Sequence, residues 1–259
     1  MSDDSIIWRV NRKPRFPVLS LGEYMTCEDG PRQTMRRNMK YERLAPTLIY
    51  RRLQKGVSSY LSSPVRDRRI LDRCRDDLES ERENSSSPTA RDNAQYALNA
   101  LDAFERSLNA LPITGMNLTL APLQRPMMIE GVKVSIQPTA LIRVERPRGK
   151  PLRGAIIVDT AKGQEPKTDE AKAKATAGMI HAAYLLHELV ANSVVADDEK
   201  PSTEHCMVFQ SYRPQLVSSP SNYRSQLRNL EAACRDVVSV WNDINPPPSF
   251  DPSRARFRD

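Results

Sequence analysis

The sequence predicts a mixed α/β (α+β) domain with a basic, mostly helical N-terminal extension, on three observations. Residues 154–159, Gly-Ala-Ile-Ile-Val-Asp, are an apolar run with a charged end, as in a buried strand. Before it, 117–123 and 127–145 alternate in twos; after it, the alanine-rich stretch 167–194 has helical spacing. Residues 1–55 hold twelve Lys/Arg against six Asp/Glu, which is most of the formal net charge of +7.

The elements follow in order. A chain of 259 residues can hold one large domain, or a core with an appendage. Residues 1–30 read as irregular or partly extended. A helical region over 34–62 is interrupted where Pro46 sets a new helix start. Residues 62–83 form a charge-laced helix with Ser63 as cap, Pro64 at its first position and Ile70, Leu71, Cys74 and Leu78 as its apolar stripe. A turn at 84–91 leads to a helix over 90–110, with Tyr96, Leu98, Leu101, Phe104 and Leu108 at helical spacing. The alternating stretches come next, with a hairpin turn or bulge at Glu130-Gly131, then a turn at 146–154 into the apolar strand. The long helix, a polar loop, a strand over 206–212 and an extended Gln215–Pro220 piece lead to a last amphipathic helix over 221–244. From residue 90 onward the order is α-β-β-β-α-β-(β)-α, one domain with a mixed sheet. Three units are expected: the extension 1–85, the core 86–244 and a flexible Pro/Arg tail 245–259.

Composition excludes several classes. Cys27, Cys74, Cys206 and Cys234 lie far apart without a CxxC pair, so reduced, packed thiols are expected. His181, His187 and His205 form neither HxxxH nor HExxH, so no metal site is expected from them. No apolar run reaches the ~18 residues of a membrane span, and the N-terminus lacks a signal-peptide core. The expectation is a cytoplasmic protein with no membrane partner. The basic excess comprises Arg32, Arg36, Arg37, Lys40, Arg43, Arg51, Arg52 and Lys55, interleaved with Tyr41, Tyr50 and Tyr60. Cations alternating with aromatics suit a phosphate backbone with some base stacking. A solvated helix face, or a docking surface for an acidic protein, fits the same charges.

GAIIVDTAKG on the third strand, with the alanine-rich helix after it, resembles the PD-(D/E)XK nuclease superfamily, in particular its RecB-like exonuclease branch. LSLGEYMTC (19–27) is similar to the Leu-Ser-x-Ser…Cys opening of that branch, and IHAAY (180–184) stands where it carries Gln-x-x-x-Tyr. The tail from Phe209 to Trp241 looks like its strand, extended piece and closing helix. The resemblance implies a restriction-endonuclease-like mixed central sheet flanked by helices. In such enzymes an acid on the second strand and an acid on the third hold Mg²⁺, and a lysine steadies water or phosphate. Here the pattern is degenerate. Thr139 stands where the first acid belongs in SIQPTALIRV, Thr160 stands two residues before Lys162, and Ile180 replaces the glutamine, while Lys162 and Tyr184 remain. Cys27 matches a cluster-binding position of some relatives, but the cysteines such a cluster needs near the C-terminus are too few.

Asp159 and Lys162 are the remaining catalytic candidates. They are three residues apart, so strand alternation puts them on opposite faces unless a bulge intervenes. A lone carboxylate with threonine hydroxyls is a poor Mg²⁺ site; Glu105, Glu130 or Glu165 would have to migrate in. The leading expectation is therefore a pseudo-nuclease: a non-catalytic, nucleic-acid-associated subunit without metal or cofactor, in the company of a larger protein partner. A prokaryotic defence or DNA-processing complex is the setting the resemblance implies. Lys162 and Thr139 would line its groove; the Arg/Lys set above, with Arg143 and Arg146, would grip nucleic acid, DNA ahead of RNA. Two alternatives stand beside it, a Mg²⁺-dependent nuclease with a rearranged site and a protein scaffold with no nucleic-acid role.

Overall fold

A five-stranded mixed sheet with helices on both faces organises the computed structural model, which describes residues 7–43, 50–163, 165–221 and 223–258, without the side chains of 223 and 224. Its strands are β4 (Asn117–Leu120), β7 (Ala140–Val144), β8 (Leu152–Asp159), β9 (Lys200–Gln210) and β10 (Gln215–Ser218), in the order β10-β9-β8-β7-β4. Only β8 and β9 run parallel, joined over the sheet by α6 (Asp169–Leu189); the other neighbours are antiparallel. Apolar residues run unbroken from Gly154 to Val158 in β8 because both faces of this part of the strand are covered. Ala155 and Ile157 join one core with Leu141, Cys206 and Val208; Ile156 and Val158 join the other with Ala140, Ile142, Met207 and Phe209.

The first core is closed by α6, α1 (Val18–Thr26) and α7 (Tyr223–Val240), the second by α3 (Arg51–Ser62) and α5 (Pro88–Ser107). A smaller cluster, Cys74, Leu78, Ala97 and Leu98, joins α5 to α4 (Arg69–Asn84). The boundary expected at residue 85 is therefore corrected. Phe16, Leu21 and Tyr24 lie in the first core, and Leu53, Val57, Tyr60 and Leu61 in the second, so the described residues before position 86 supply cover to both faces of the sheet. An amphipathic stripe buries wherever apolar surface is available, irrespective of its distance along the chain.

Two small sheets flank the core. One has the order β2-β6-β5, from β2 (Arg15–Pro17), β6 (Val132–Ser135) and β5 (Met127–Ile129). Its hairpin turns at Glu130 (φ 44) and Gly131 (φ 83), the paired left-handed conformations of a tight two-residue turn. The other has the order β11-β1-β3, from β11 (Ala255–Arg258), β1 (Trp8–Asn11) and β3 (Tyr41–Arg43). The tail expected to be loose is therefore paired: β11 runs parallel to β1, and Phe250 packs edge-on against Trp8 and Tyr41, with ring centroids 5.6 and 4.9 Å away.

Helix boundaries shift locally. α2 (Asp29–Lys40) ends well before residue 62, and the interruption expected at Pro46 lies outside the described residues. The helix expected from residue 62 starts at Arg69. Ser63 accepts the amide of Asp67 at 3.3 Å, and Asp67 accepts that of Arg69 at 3.0 Å, in a turn that precedes the helix. The long helix α6 is capped by Thr168, which accepts the amide of Ala171, and ends in one π turn at 190–194. Among the described residues no helix is long and apolar enough to cross a membrane. Cys74, Cys206 and Cys234 are buried free thiols and Cys27 is half-buried; burial pushes the thiols of Cys206 and Cys234 up to about 12.

Candidate functional site at the carboxyl ends of the parallel strands

The carboxyl ends of adjacent parallel strands, with a helix crossing between them, are where open α/β sheets place their ligands. Here those ends are Asp159 of β8 and Gln210 of β9, which are register partners. Strand alternation puts both on the α1/α6 face, with Ala155, Ile157 and Val208. The Asp159 carboxylate accepts the amide of Ala161 at 3.0 Å, and its main-chain carbonyl accepts the amide and hydroxyl of Ser211 at 3.0 and 3.1 Å. The Gln210 side chain donates to the Ala161 carbonyl at 3.0 Å and accepts the amides of Tyr212 and Arg213 at 2.6 and 3.2 Å. The two strand ends are thus tied together by their own loops.

Burial raises the Asp159 carboxyl above its ordinary value of 3.8, against the opposing effects of the Ala161 amide, Arg213 and Gln210; Glu23 of α1 adds to the rise. The neutral acid is therefore favoured by folding, and between the ordinary and the raised value the folded state holds more proton than the unfolded one. The contribution of Asp159 to stability is accordingly largest in acid and declines as pH rises through the raised value. Relative to Asp159→Asn, the wild-type Tm should fall between pH 4 and pH 7; parallel profiles for the two proteins would contradict this.

The threonines at the degenerate positions have internal roles. Thr139 lies just before β7; its amide donates to the Ile156 carbonyl at 2.7 Å and its hydroxyl accepts the Val158 amide at 2.9 Å. It therefore continues the β7–β8 ladder by one side-chain rung. Thr160 is buried at 4% exposure. Tyr184 sits in the first core, and Ile180 is half-buried on the same helix. Lys162 is exposed in the loop after β8 and makes no hydrogen bond or ion pair among the described residues. Asp159 and Lys162 are not brought together.

The donor set does not fit Mg²⁺, which demands several charged oxygens in octahedral order. Asp159 is desolvated and hydrogen-bonded to its own loop. Glu105 is bound by Arg75, and Glu130 sits at the hairpin turn with Arg235 at 3.4 Å. Among the described residues no group of three His, Cys, Asp or Glu converges as a metal site.

The basic residues divide into two groups. Several hold the fold together. Arg32 donates to the carbonyls of Tyr24 and Met25 and lies over the Tyr24 ring. Arg36 pairs with Asp236 at 3.3 Å, where the Tyr24 hydroxyl also donates at 2.6 Å. Lys40 donates to the carbonyls of Trp241, Asn242 and Ile244 just beyond α7, where a cation is favoured. Arg43 lies over Trp8 and donates to Ser249, and Arg143 pairs with Glu145 and Glu199. Arg37 is half-buried on α2. Arg51, Lys55, Arg146 and Lys162 are exposed, and Arg52 is exposed but paired with Glu81.

At the strand ends the structure adds Tyr212 and Arg213, which composition did not single out, beside Tyr50, which it did. Arg213 follows the β9 end and is close enough to act on the Asp159 carboxylate. Tyr50, just before Arg51, and Tyr212 both have hydroxyls pushed up by burial first, with each other or Asp159 as a second cause. Tyr50, Tyr212 and Arg213 thus lie around one end of the sheet, with Lys162 in the loop that follows β8 and Arg51 next to Tyr50 at the start of α3. Their signal was available in the strand–helix–strand order, which brings the ends of β8 and β9 side by side. No family model matches the chain, and no curated protein or solved structure is significantly similar to it.

Proposed function

We propose that this chain is a non-catalytic nucleic-acid-binding protein built on a degenerate PD-(D/E)XK-like core. The observation that carries the reading is the state of Asp159. The one carboxylate left at the end of the central strand is desolvated and tied to its own loop, while a threonine side chain supplies a sheet hydrogen bond where the first metal-binding acid would stand. Two antiparallel strands, a covering helix and a strand parallel to the second support the likeness in architecture. A sheet end with one desolvated acid, held by its own loop, in place of two metal-binding carboxylates repels phosphate less than an unmetallated nuclease site would. Lys162, Arg213 and Arg51 supply positive charge there, and Tyr50 and Tyr212 supply rings on which bases stack.

Labelled single- and double-stranded DNA and RNA, titrated in EDTA at two salt concentrations, test this. Binding should weaken with salt, by about 0.9 log units per log unit of salt for each phosphate contacted on a duplex. The paired reversals Lys162→Glu and Arg213→Glu should weaken it about tenfold or more, because each replaces an attraction to phosphate by a repulsion. Equal affinity in the double variant would remove the sheet end from the binding surface.

A further inference from the structure

The two small sheets face each other across a cavity of about 360 Å³ that lies apart from the end of the central sheet. Its walls come from five strands far apart in sequence, β1, β2, β3, β6 and β11, together with the segment before β5. Pairing explains its charge. Arg9 is the register partner of both Glu42 on β3 and Arg256 on β11, and Asn11 is the partner of Arg258. Arg9, Arg256, Arg258 and Glu42 therefore share one face of that sheet, opposite the face of Trp8 and Val10. From the other sheet, Arg15 enters the same cavity.

Three guanidinium groups thus line the cavity against a single lining carboxylate, Glu42, which already pairs with Arg9 at 3.3 Å. Arg15 and Arg258 have no ion pair or side-chain hydrogen bond among the described residues. Burial lowers the Arg15 pKa, Arg258 and Arg9 lower it further and Glu42 opposes them, so Arg15 is held among like charges that one carboxylate only partly offsets. Such an arrangement is relieved by an anion of two negative charges.

The remaining walls narrow the ligand. Met39, Leu123 and Pro126 form an apolar shelf. Beside it the Gln137 side chain donates to the Pro122 and Pro138 carbonyls and accepts the Gln124 main-chain amide. The Gln124 side chain donates to the Pro122 carbonyl, and its oxygen accepts no hydrogen bond among the described residues. Leu123 is 92% exposed, a large apolar surface left without cover. A backbone phosphodiester brings one charge, whereas a phosphate monoester carries close to two at neutral pH. The Gln124 carboxamide beside an apolar shelf suits a flat heterocycle, and the volume lies in the range of small-ligand sites.

We propose that the cavity between the two small sheets binds a nucleoside phosphate monoester, with Arg15 and Arg258 on the phosphate and the Leu123–Pro126 shelf against the base. The ligand is either a free nucleotide or the phosphorylated end of a strand. The site is separate from the surface assigned under the proposed function, and neither proposal depends on the other.

Calorimetric titration of the full chain tests it, with AMP, adenosine, inorganic phosphate and a short oligonucleotide with or without a 5′-phosphate as probes. AMP should bind at least about tenfold more tightly than adenosine, and more tightly than inorganic phosphate. Arg15→Gln should weaken AMP about tenfold or more, as expected for loss of a charge-assisted contact. Glu42→Gln should tighten it, which keeps the test informative if Arg15→Gln is poorly folded. A gain from the 5′-phosphate on the oligonucleotide, abolished in Arg15→Gln, would assign the site to strand ends; AMP binding without that gain would assign it to free nucleotide. AMP binding that is absent, or unmoved by both substitutions, would overturn the proposal.

Discussion

Gly22→Ala should destabilise the protein by about 3 kcal/mol, because small-to-large changes against fixed backbone are among the costly ones. A Cβ at Gly22 of α1 would lie 2.2 Å from the main-chain oxygen of Gly178 on α6, with the Gly178 carbon and the Ala182 nitrogen within 3.3 Å. Backbone cannot rotate away as a side chain tip can, so one helix has to move. Leu21 and Tyr24 of α1, and Phe16 just before it, are fully buried, so α1 has no slack on its core side. At ~2–4 °C per kcal/mol for a chain of this size, thermal unfolding should shift down by about 6–12 °C. The sign is diagnostic. Inside an uncrowded helix, alanine is favoured over glycine by up to ~1 kcal/mol, so a higher Tm would show that α1 does not pack on α6 as described.

A chain beginning at residue 86 should not fold. It lacks Phe16, Leu21 and Tyr24 from one face of the central sheet and Leu53, Val57, Tyr60, Leu61 and Leu71 from the other. Each large apolar side chain contributes about 1.5–3 kcal/mol on burial, and the eight together match or exceed the ~5–15 kcal/mol that holds a typical domain folded. Near-ultraviolet circular dichroism and amide exchange on this fragment should show no fixed aromatic environment and no slow-exchanging core. A cooperative transition in the fragment would restore the idea of a separable N-terminal extension.

Both expectations follow from packing that was only partly legible in the sequence. The continuous apolar run of β8, the alternation before it and the alanine-rich α6 were readable because each carries one unmistakable period. Positions 1–85 misled because charge dominates their composition, while a few apolar residues at helical spacing decide where the helices go. Cation counting failed in the same way. Arg32, Arg36 and Lys40 look like a phosphate-binding row in sequence, yet they cap, pair and bridge α1, α2 and α7. At the C-terminus the charges concealed a strand. Arg254, Arg256 and Arg258 alternate around Ala255 and Phe257, a period of two that composition alone reads as a basic tail.

The candidate site was half legible. GAIIVDTAKG located the strand end, and spacing alone separated Asp159 from Lys162. Gln210 and Arg213 came from β9, whose parallel pairing with β8 sets them beside Asp159. A residue-by-residue comparison with a motif finds positions that the motif names, whereas partners supplied by a neighbouring strand emerge only from topology.

The central claim is that this sheet end holds nucleic acid without cutting it. The most direct measurement incubates the purified chain with labelled single- and double-stranded DNA and RNA, in EDTA and in Mn²⁺, and follows binding and cleavage in the same samples. The account predicts salt-sensitive binding of equal strength with and without metal, and full-length nucleic acid throughout. Cleavage that requires Mn²⁺ and disappears in Lys162→Ala would contradict it and make the strand end a working, rearranged nuclease site.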